Sequence, residues 1–421
     1  MSNQCALTLL TPVLPVYHEQ IAATLKCLKE SVDKGTFKQI ESLGTIHYFR
    51  LVLLEDKISN AKTNLLLSSD YDGNEDEHIM LLATHCGDLI DQLYECCEGY
   101  HAAGERTPEN RAGYLKKWSN KVAAFYIGAP GRSLKQVRQE SDLRNYIWDF
   151  LRAGKWDGKT AKEVHSIVRK YVFENQDFSW TKEKIDVPKV KRWNFALLYG
   201  IAFILLPLTF LLALVAVTWL VVLHFFHEKK DKPLGLTPSQ VDSNLIRTLE
   251  ESEDFQNQNQ FTQIISMKPG KMRNITVKAL MIYARFRCYN EFVKGELMGI
   301  PTIHFARWVL LDDDKQMLFL SNFDGSWQQY LGDFIDKSGW GLTAIFSNTE
   351  NFPVSRYLFW GGAYDEEHFL AWSRYYQVPS QVWYSAYPKL SIKNINTNTF
   401  IRSELIRDLN EQQAQTFLNR F

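Results

Sequence analysis

Three polar side chains stand beside apolar runs at two places in the sequence: His47, Arg50 and Asp72, then His304, Arg307 and Asp324. An imidazole beside a carboxylate can pass a proton or hold a metal-ligating ring, and a guanidinium can take an anion. If the second hairpin turns through Asp312 to Lys315, Leu311 opposes Gln316, and counting back sets His304 against Phe323, next to Asp324. The same count sets His47 against Tyr71. His304 and Asp324 are therefore the expected proton-handling pair. Arg307 lies three residues from His304 and faces the other side of the strand unless a bulge intervenes, so it serves as an anion partner only with such an irregularity. Structural roles are open to each group. Asp-Gly is ordinary turn chemistry ahead of a capped helix, a strand-start histidine can be satisfied by a carbonyl, and the arginines can be ion partners between halves.

The second half carries further polar and aromatic residues: Asn257, Asn259 and Thr262; Ser321, Asn322 and Trp327; Asn348, Thr349 and Asn351; Trp383, Tyr384, Ser385 and Tyr387. Converging, they make a pocket of amide and hydroxyl donors among aromatic walls, with Asn322, Trp327, Asn348, Trp383 and Tyr384 as substrate-binding candidates. The other arrangement is a polar seam between the halves. Phosphate-loop, dinucleotide, HExxH and GxSxG motifs are absent from the sequence, and Glu366, Glu367 and His368 diverge on a helix, so no metal site is expected.

These residues recur because the pattern around them recurs. TIHYFRLVLLED (45–56) returns as TIHFARWVLLDD (302–313), and LLSSDYDG (66–73) as LFLSNFDG (318–325). Pro130, Ser133, Val137, Leu143 and Arg144 return at one common offset as Pro388, Ser391, Ile395, Ile401 and Arg402. Such an ordered series marks an internal duplication. In the first copy the spacing predicts a strand over 6–13, a helix over 16–31, strands over 45–54 and 64–69, a helix opened by the Asn74/Glu77 capping box, and a strand over 90–97. The second predicts a strand over 260–267, a helix over 272–289, strands over 302–311 and 316–321, a helix from Ser326, and a strand over 342–347. The order βαββαβ is ferredoxin-like. Each copy adds a strand (122–127; 381–386) and a capped helix, and two such halves are expected to dock as an α+β barrel or sandwich.

Between the copies, residues 193–226 are almost wholly apolar. As helix they would run on the order of 50 Å against a hydrocarbon core of roughly 30 Å. Pro207 predicts a kink or reversal. Basic residues lie outside both ends (Lys189, Lys191 and Arg192; Lys229, Lys230 and Lys232), which favours a re-entrant hairpin with both flanks cytoplasmic over one tilted span. The expected organisation is a first domain over 1–152, a helical connector over 153–192, the membrane segment over 193–226, a polar connector over 227–259 with a helix signalled by Thr237, Pro238 and Gln240, and a second domain over 260–421.

With 48 basic and 48 acidic residues in 421, charge balance gives no footprint for nucleic acid. The N-terminus lacks the basic start and cleavage site of a secretory signal. Six cysteines without CxxC or Cys/His spacing suit reduced, structural thiols in the cytoplasm.

The runs IPTIHFARWVLLDDD, LFLSNFDGSWQQYLGDFID and QVWYSAYPKLSIKNI resemble an uncharacterised bacterial family of membrane-associated proteins with this duplicated organisation. More remotely, the doubled plan is similar to that of dye-decolourising haem peroxidases, whose GxxDG motif provides a distal Asp. Ser321-Asn322-Phe323-Asp324-Gly325 stands in that place, with Ser for the leading Gly. That resemblance implies haem as a possible cofactor, with Asp324 distal and Arg307 a propionate partner. The expectation is a membrane-associated protein, oxidoreductase-like or binding a hydrophobic ligand in its second half. The competing expectation is a non-catalytic scaffold or ligand binder.

Overall fold

A computed structural model describes residues 4–55, 63–183, 206–292 and 295–421. The chain runs β1 (Gln4–Pro12), α1 (His18–Asp33), the single turn α2 (Lys38–Glu41), β2 (Ile46–Glu55), β3 (Thr63–Asp72), α3 (Glu75–His85), α4 (Gly87–Tyr94), α5 (Pro108–Lys117), β4 (Val122–Ile127), α6 (Leu134–Ala153) and α7 (Ala161–Glu174). After α8 (Leu206–Phe226) and α9 (Ser243–Glu250) come β5 (Gln258–Ser266), α10 (Lys271–Asn290), β6 (Ile303–Leu311), β7 (Gln316–Asp324) and α11 (Trp327–Phe346). The two-residue strands β8 (Ser355–Arg356) and β9 (Trp360–Gly361) follow, then α12 (Glu366–Tyr376), β10 (Val382–Ser385), α13 (Ile392–Leu405) and α14 (Glu411–Leu418).

Strand β2 is buried at every position except its last. Its two faces meet different layers. Phe49, Leu51 and Leu53 pack with Leu25, Leu82 and Ile90 of the helices, while Val52 and Leu54 meet Val309, Leu311 and Leu318 of the other sheet. Two-sided burial is why the sequence shows continuous apolar runs instead of alternation. On β6, Ala306 and Trp308 likewise face helices.

Two antiparallel four-stranded sheets result, in the orders β1-β3-β2-β10 and β5-β7-β6-β4. Each takes its outer strand from the other half. β10 lies on β2, with Val382 opposite Leu51, and β4 lies on β6, with Phe125 opposite Arg307. The halves thus share backbone hydrogen bonds as well as a core. Helices α6, α7, α13 and α14 pack beside them around Leu143, Val168, Leu405 and Phe417.

Two expected strands are corrected. Residues 90–97 are mostly helix α4, because Leu89, Ile90, Leu93 and Tyr94 fall at helical spacing and all are buried. Residues 342–347 complete α11, which is interrupted only at Ser338. Next to β1 and β5, where a fourth strand was expected, the chain makes isolated bridges: Val13 with Cys97 and Leu9 with Ser119, then Met267 with Thr349 and Gln263 with Gln377. The connector helix also begins later than expected, since Thr237 and Gln240 cap a single turn and Asp242 caps α9.

Helix α8 is, among the described residues, the one helix long and apolar enough to cross a membrane. Its 21 residues rise roughly 31 Å. Phe210, Leu214 and Val217 stand in the open, at 74%, 55% and 57% exposure. The kink or reversal expected at Pro207 involves the turn before Leu206, which lies outside the described residues. The hairpin expected from the start of the apolar run falls on residues 193–205, outside the described residues.

Candidate functional site

The register of β6 on β7 slips at His304: Ile303 opposes Phe323 and Phe305 opposes Asn322. β2 slips identically at His47, with Ile46 opposite Tyr71 and Tyr48 opposite Asp70. The expected His304–Phe323 and His47–Tyr71 pairings are therefore off by one residue. The irregularity turns each imidazole to the inter-sheet side, which it now shares with Arg307 or Arg50.

His304 Nε2 lies 2.7 Å from Asp324 Oδ1, and Asp324 Oδ2 accepts the Ile392 backbone N–H at 2.8 Å. In the first half His47 Nε2 lies 3.2 Å from Asp72 Oδ1, and Asp72 Oδ2 accepts from Leu134 N at 2.6 Å. Ile392 and Leu134 open α13 and α6, so each aspartate holds an orphan N–H at a helix start and one histidine. Both imidazoles are buried, within aromatic contact of Tyr387. His47 Nδ1 and the Tyr387 hydroxyl are 2.9 Å apart. Burial lifts the Tyr48 and Tyr387 hydroxyls well above the ordinary phenol range, so both stay protonated.

Between the sheets the two arginines cross. Arg50 donates to Phe261 O, Thr262 Oγ1, Ser321 O and Asn322 Oδ1 of the second half. Arg307 donates to Leu7 O, Thr8 Oγ1 and Ser68 Oγ of the first and lies 3.3 Å from Asp70 Oδ1. Asn322 donates to Asp70 Oδ2 at 2.9 Å and accepts from Trp383 Nε1 at 2.9 Å. Burial, then the Arg307 charge, lowers the Arg50 pKa to about 9, which leaves it cationic at neutral pH. Burial raises the Asp70 carboxyl, against the pull of both guanidinium charges. This is the inter-half seam weighed as the structural role for the arginines, and it accounts for every polar atom that Asn322 and Trp383 offer.

The remaining candidates lie apart. Trp327 sits under the Arg374 guanidinium, 3.7 Å from its ring centroid, and Arg374 pairs with Glu253. Asn348 is buried and bonds Ala344 O at the end of α11. Tyr384 packs on Phe37, on the helix side of β10. The expected pocket of Asn322, Trp327, Asn348, Trp383 and Tyr384 is thus not assembled.

A different cavity is. About 360 Å³ lies between α10 and α11, walled by Leu280, Ala284, Phe292, Met298, Phe334 and Ile345, with Trp308 as its floor on β6. The Trp308 indole N–H is buried there without a partner among the described residues. Tyr283, Arg287 and Trp340 line it from partly exposed positions. Cys288 borders it too, its thiol pushed up to about 12 by burial and so not a thiolate at neutral pH. A visible signal for this cavity was the surplus of apolar residues on α10, more than one buried face needs.

The end of α8 docks on the same layer. Leu220 and Leu223 pack with Met272, Leu280, Ala344, Leu358 and Phe359, and the Trp219 indole donates to Thr276 Oγ1 at 2.9 Å. Buried Glu228 accepts from Leu358 N and Ser355 Oγ and lies 2.9 Å from His224 Nδ1. Asp231 pairs with Arg273 and Lys268, both at 2.7 Å; burial lowers the Lys268 pKa to about 8, Asp231 opposing it.

Haem does not fit the His304–Asp324 pair. Both carboxylate oxygens are engaged, the imidazole is enclosed by Tyr48 and Tyr387, and the apolar cavity lies on the helix side of β6, away from both. No family model, curated protein or solved structure matches this sequence.

Proposed function

We propose that this chain is a membrane-anchored α+β protein that holds a hydrophobic small molecule in the cavity between α10 and α11. The observation that carries this reading is the shared wall: Leu280, Ala344 and Phe359 line the cavity and also receive the end of the apolar helix α8. A lipophilic ligand is scarce in water and concentrated in the bilayer, so an apolar cavity beside the anchor is placed to receive it. The exchanged strands support two tandem ferredoxin-like halves on one side of the membrane. An apolar run that leaves the first half and rejoins the second then enters and leaves by one face, as in a re-entrant hairpin. Lys229, Lys230 and Lys232 after α8 favour the cytoplasmic face.

The oxidoreductase-like alternative loses its proposed centre, because His304, Asp324 and Arg307 are absorbed in ties between strands, helices and halves. A non-catalytic ligand binder accords better with that geometry. The test is titration of the detergent-solubilised protein with a dansylated acyl probe, read by energy transfer from tryptophan. Saturable transfer that Ala284→Trp abolishes is expected. Transfer unchanged by that substitution, in a variant with native circular dichroism, would place the probe elsewhere.

A further inference from the structure

Helix α10 carries a second apolar stripe that the cavity and core do not use. At roughly 100° per residue, Val277, Met281 and Cys288 share the face buried on the sheet, while Met272, Thr276 and Leu280 share the face that meets α8. A third face holds Ile275, Ile282 and Tyr289, which are 54%, 71% and 63% exposed. Tyr283, at the cavity edge, falls on the α8-facing side, away from this stripe.

Charge on α10 is one-sided. From 271 to 290 the sequence has Lys271, Arg273, Lys278, Arg285 and Arg287 and no acidic residue. Asp231 neutralises Arg273, Asp314 pairs with Lys278 and Glu291 with Arg287. Lys271 and Arg285 remain without a carboxylate partner among the described residues, and Arg285 lies over the Tyr289 ring. A helix with exposed Ile and Tyr along one stripe and cations at its border suits the boundary between headgroups and acyl chains.

An aromatic series leads from the anchor to the cavity. His224 stacks on Tyr357 at 4.1 Å, Tyr357 meets Trp360, Trp360 meets Phe359, and Phe359 meets Trp340 at the cavity edge. Trp360 is 60% exposed. Tryptophan and tyrosine gather at the level where a membrane helix leaves the hydrocarbon.

From these observations we infer that the outer face of α10 rests in the lipid interface, so the cavity mouth opens at the headgroup boundary and admits an acyl chain sideways from the bilayer. The inference rests on the membrane anchoring of α8 and adds to it a second, peripheral contact. Two features select a lipid surface as the occupant: the stripe lies on the helix that α8 itself packs against through Thr276 and Leu280, and its border is cationic.

The experiment is nitroxide accessibility on the full chain in vesicles of phosphatidylcholine and phosphatidylglycerol. Single labels go at Ile282→Cys, Tyr289→Cys, Leu214→Cys on α8 and Lys155→Cys on the first half, in a Cys27→Ser background. Labels at 282 and 289 are expected to collide with oxygen several-fold more, and with a water-soluble nickel chelate several-fold less, than the label at 155. Nickel access at 282 and 289 equal to that at 155, with 214 shielded, would overturn the α10 contact and leave the anchor standing. Nickel access at 214 as well would overturn the anchor itself. Shielding at 282 with spin–spin broadening between chains would show a second copy on the stripe and overturn the lipid contact.

Discussion

Trp219 donates its indole N–H to Thr276 Oγ1, so α8 and the cavity-lining helix α10 are joined by a polar bond within an otherwise apolar contact. With Glu228 fixing the 355–358 turn and Asp231 fixing Arg273, the C-terminal end of α8 is tied to the second half.

If α8 is embedded, charges on its open face will expel it. Leu214→Lys combined with Val217→Lys opposes insertion by about 2.5–3.5 kcal/mol for each lysine near a helix centre. Carbonate-washed membranes should retain the native chain and lose the double variant. Equal retention of both would place α8 outside the bilayer.

The crossed arginines make the seam a stability determinant. Arg307→Met strands Asp70 between the sheets and leaves Leu7 O and Ser68 without their donor, a loss of about 3–5 kcal/mol. Adding Asp70→Asn should recover part of it. In Arg307→Met the folded-state pKa of Asp70 rises further above its unfolded value, so the variant regains stability as pH falls below that raised pKa. Denaturant melts of the single and double variants at pH 5 and pH 8 would show both effects.

Asp324→Asn tests the structural role of the histidine pair. Losing a carboxylate at the start of α13 lowers stability by about 1 kcal/mol, and Asp72→Asn should match it through α6. Neither should change binding of the dansylated probe; a selective loss of probe binding in Asp324→Asn would return a ligand role to that residue.

His78 gives the pH dependence. It stacks on Tyr71 at 3.6 Å and its Nε2 lies 2.7 Å from Ser69 Oγ. Burial lowers its pKa to about 3. A depressed histidine is neutral when folded and protonates in the unfolded chain below about pH 6.5. Stability is therefore lost as pH falls from there toward 3, by up to about 1.4 kcal/mol per pH unit. His78→Gln should flatten the melt-against-pH curve by one proton; an unchanged slope would mean that His78 does not set it.

Apolar runs, capping boxes and hairpin turns were legible in the sequence because they depend on neighbours in the chain. Ser326 does cap α11, and Leu311 does oppose Gln316. The exchange of β4 and β10 was not legible, since Val122–Ile127 and Val382–Ser385 carry no mark of which sheet they will join. The one-residue slips at His47 and His304 are likewise invisible to counting, yet they decide which way each imidazole points. Asn322 reads as a ligand donor for the same reason: its partners, Arg50 and Asp70, lie more than 250 residues away, and Trp383 is drawn in because its indole donates to Asn322.

Native mass spectrometry of the chain released from membranes in mild detergent asks the main question most directly. One hydrophobic molecule per native chain, absent from Ala284→Trp, is the expected spectrum. A native chain carrying no such molecule, or a folded Ala284→Trp chain carrying it equally, would contradict the assignment of the α10–α11 cavity.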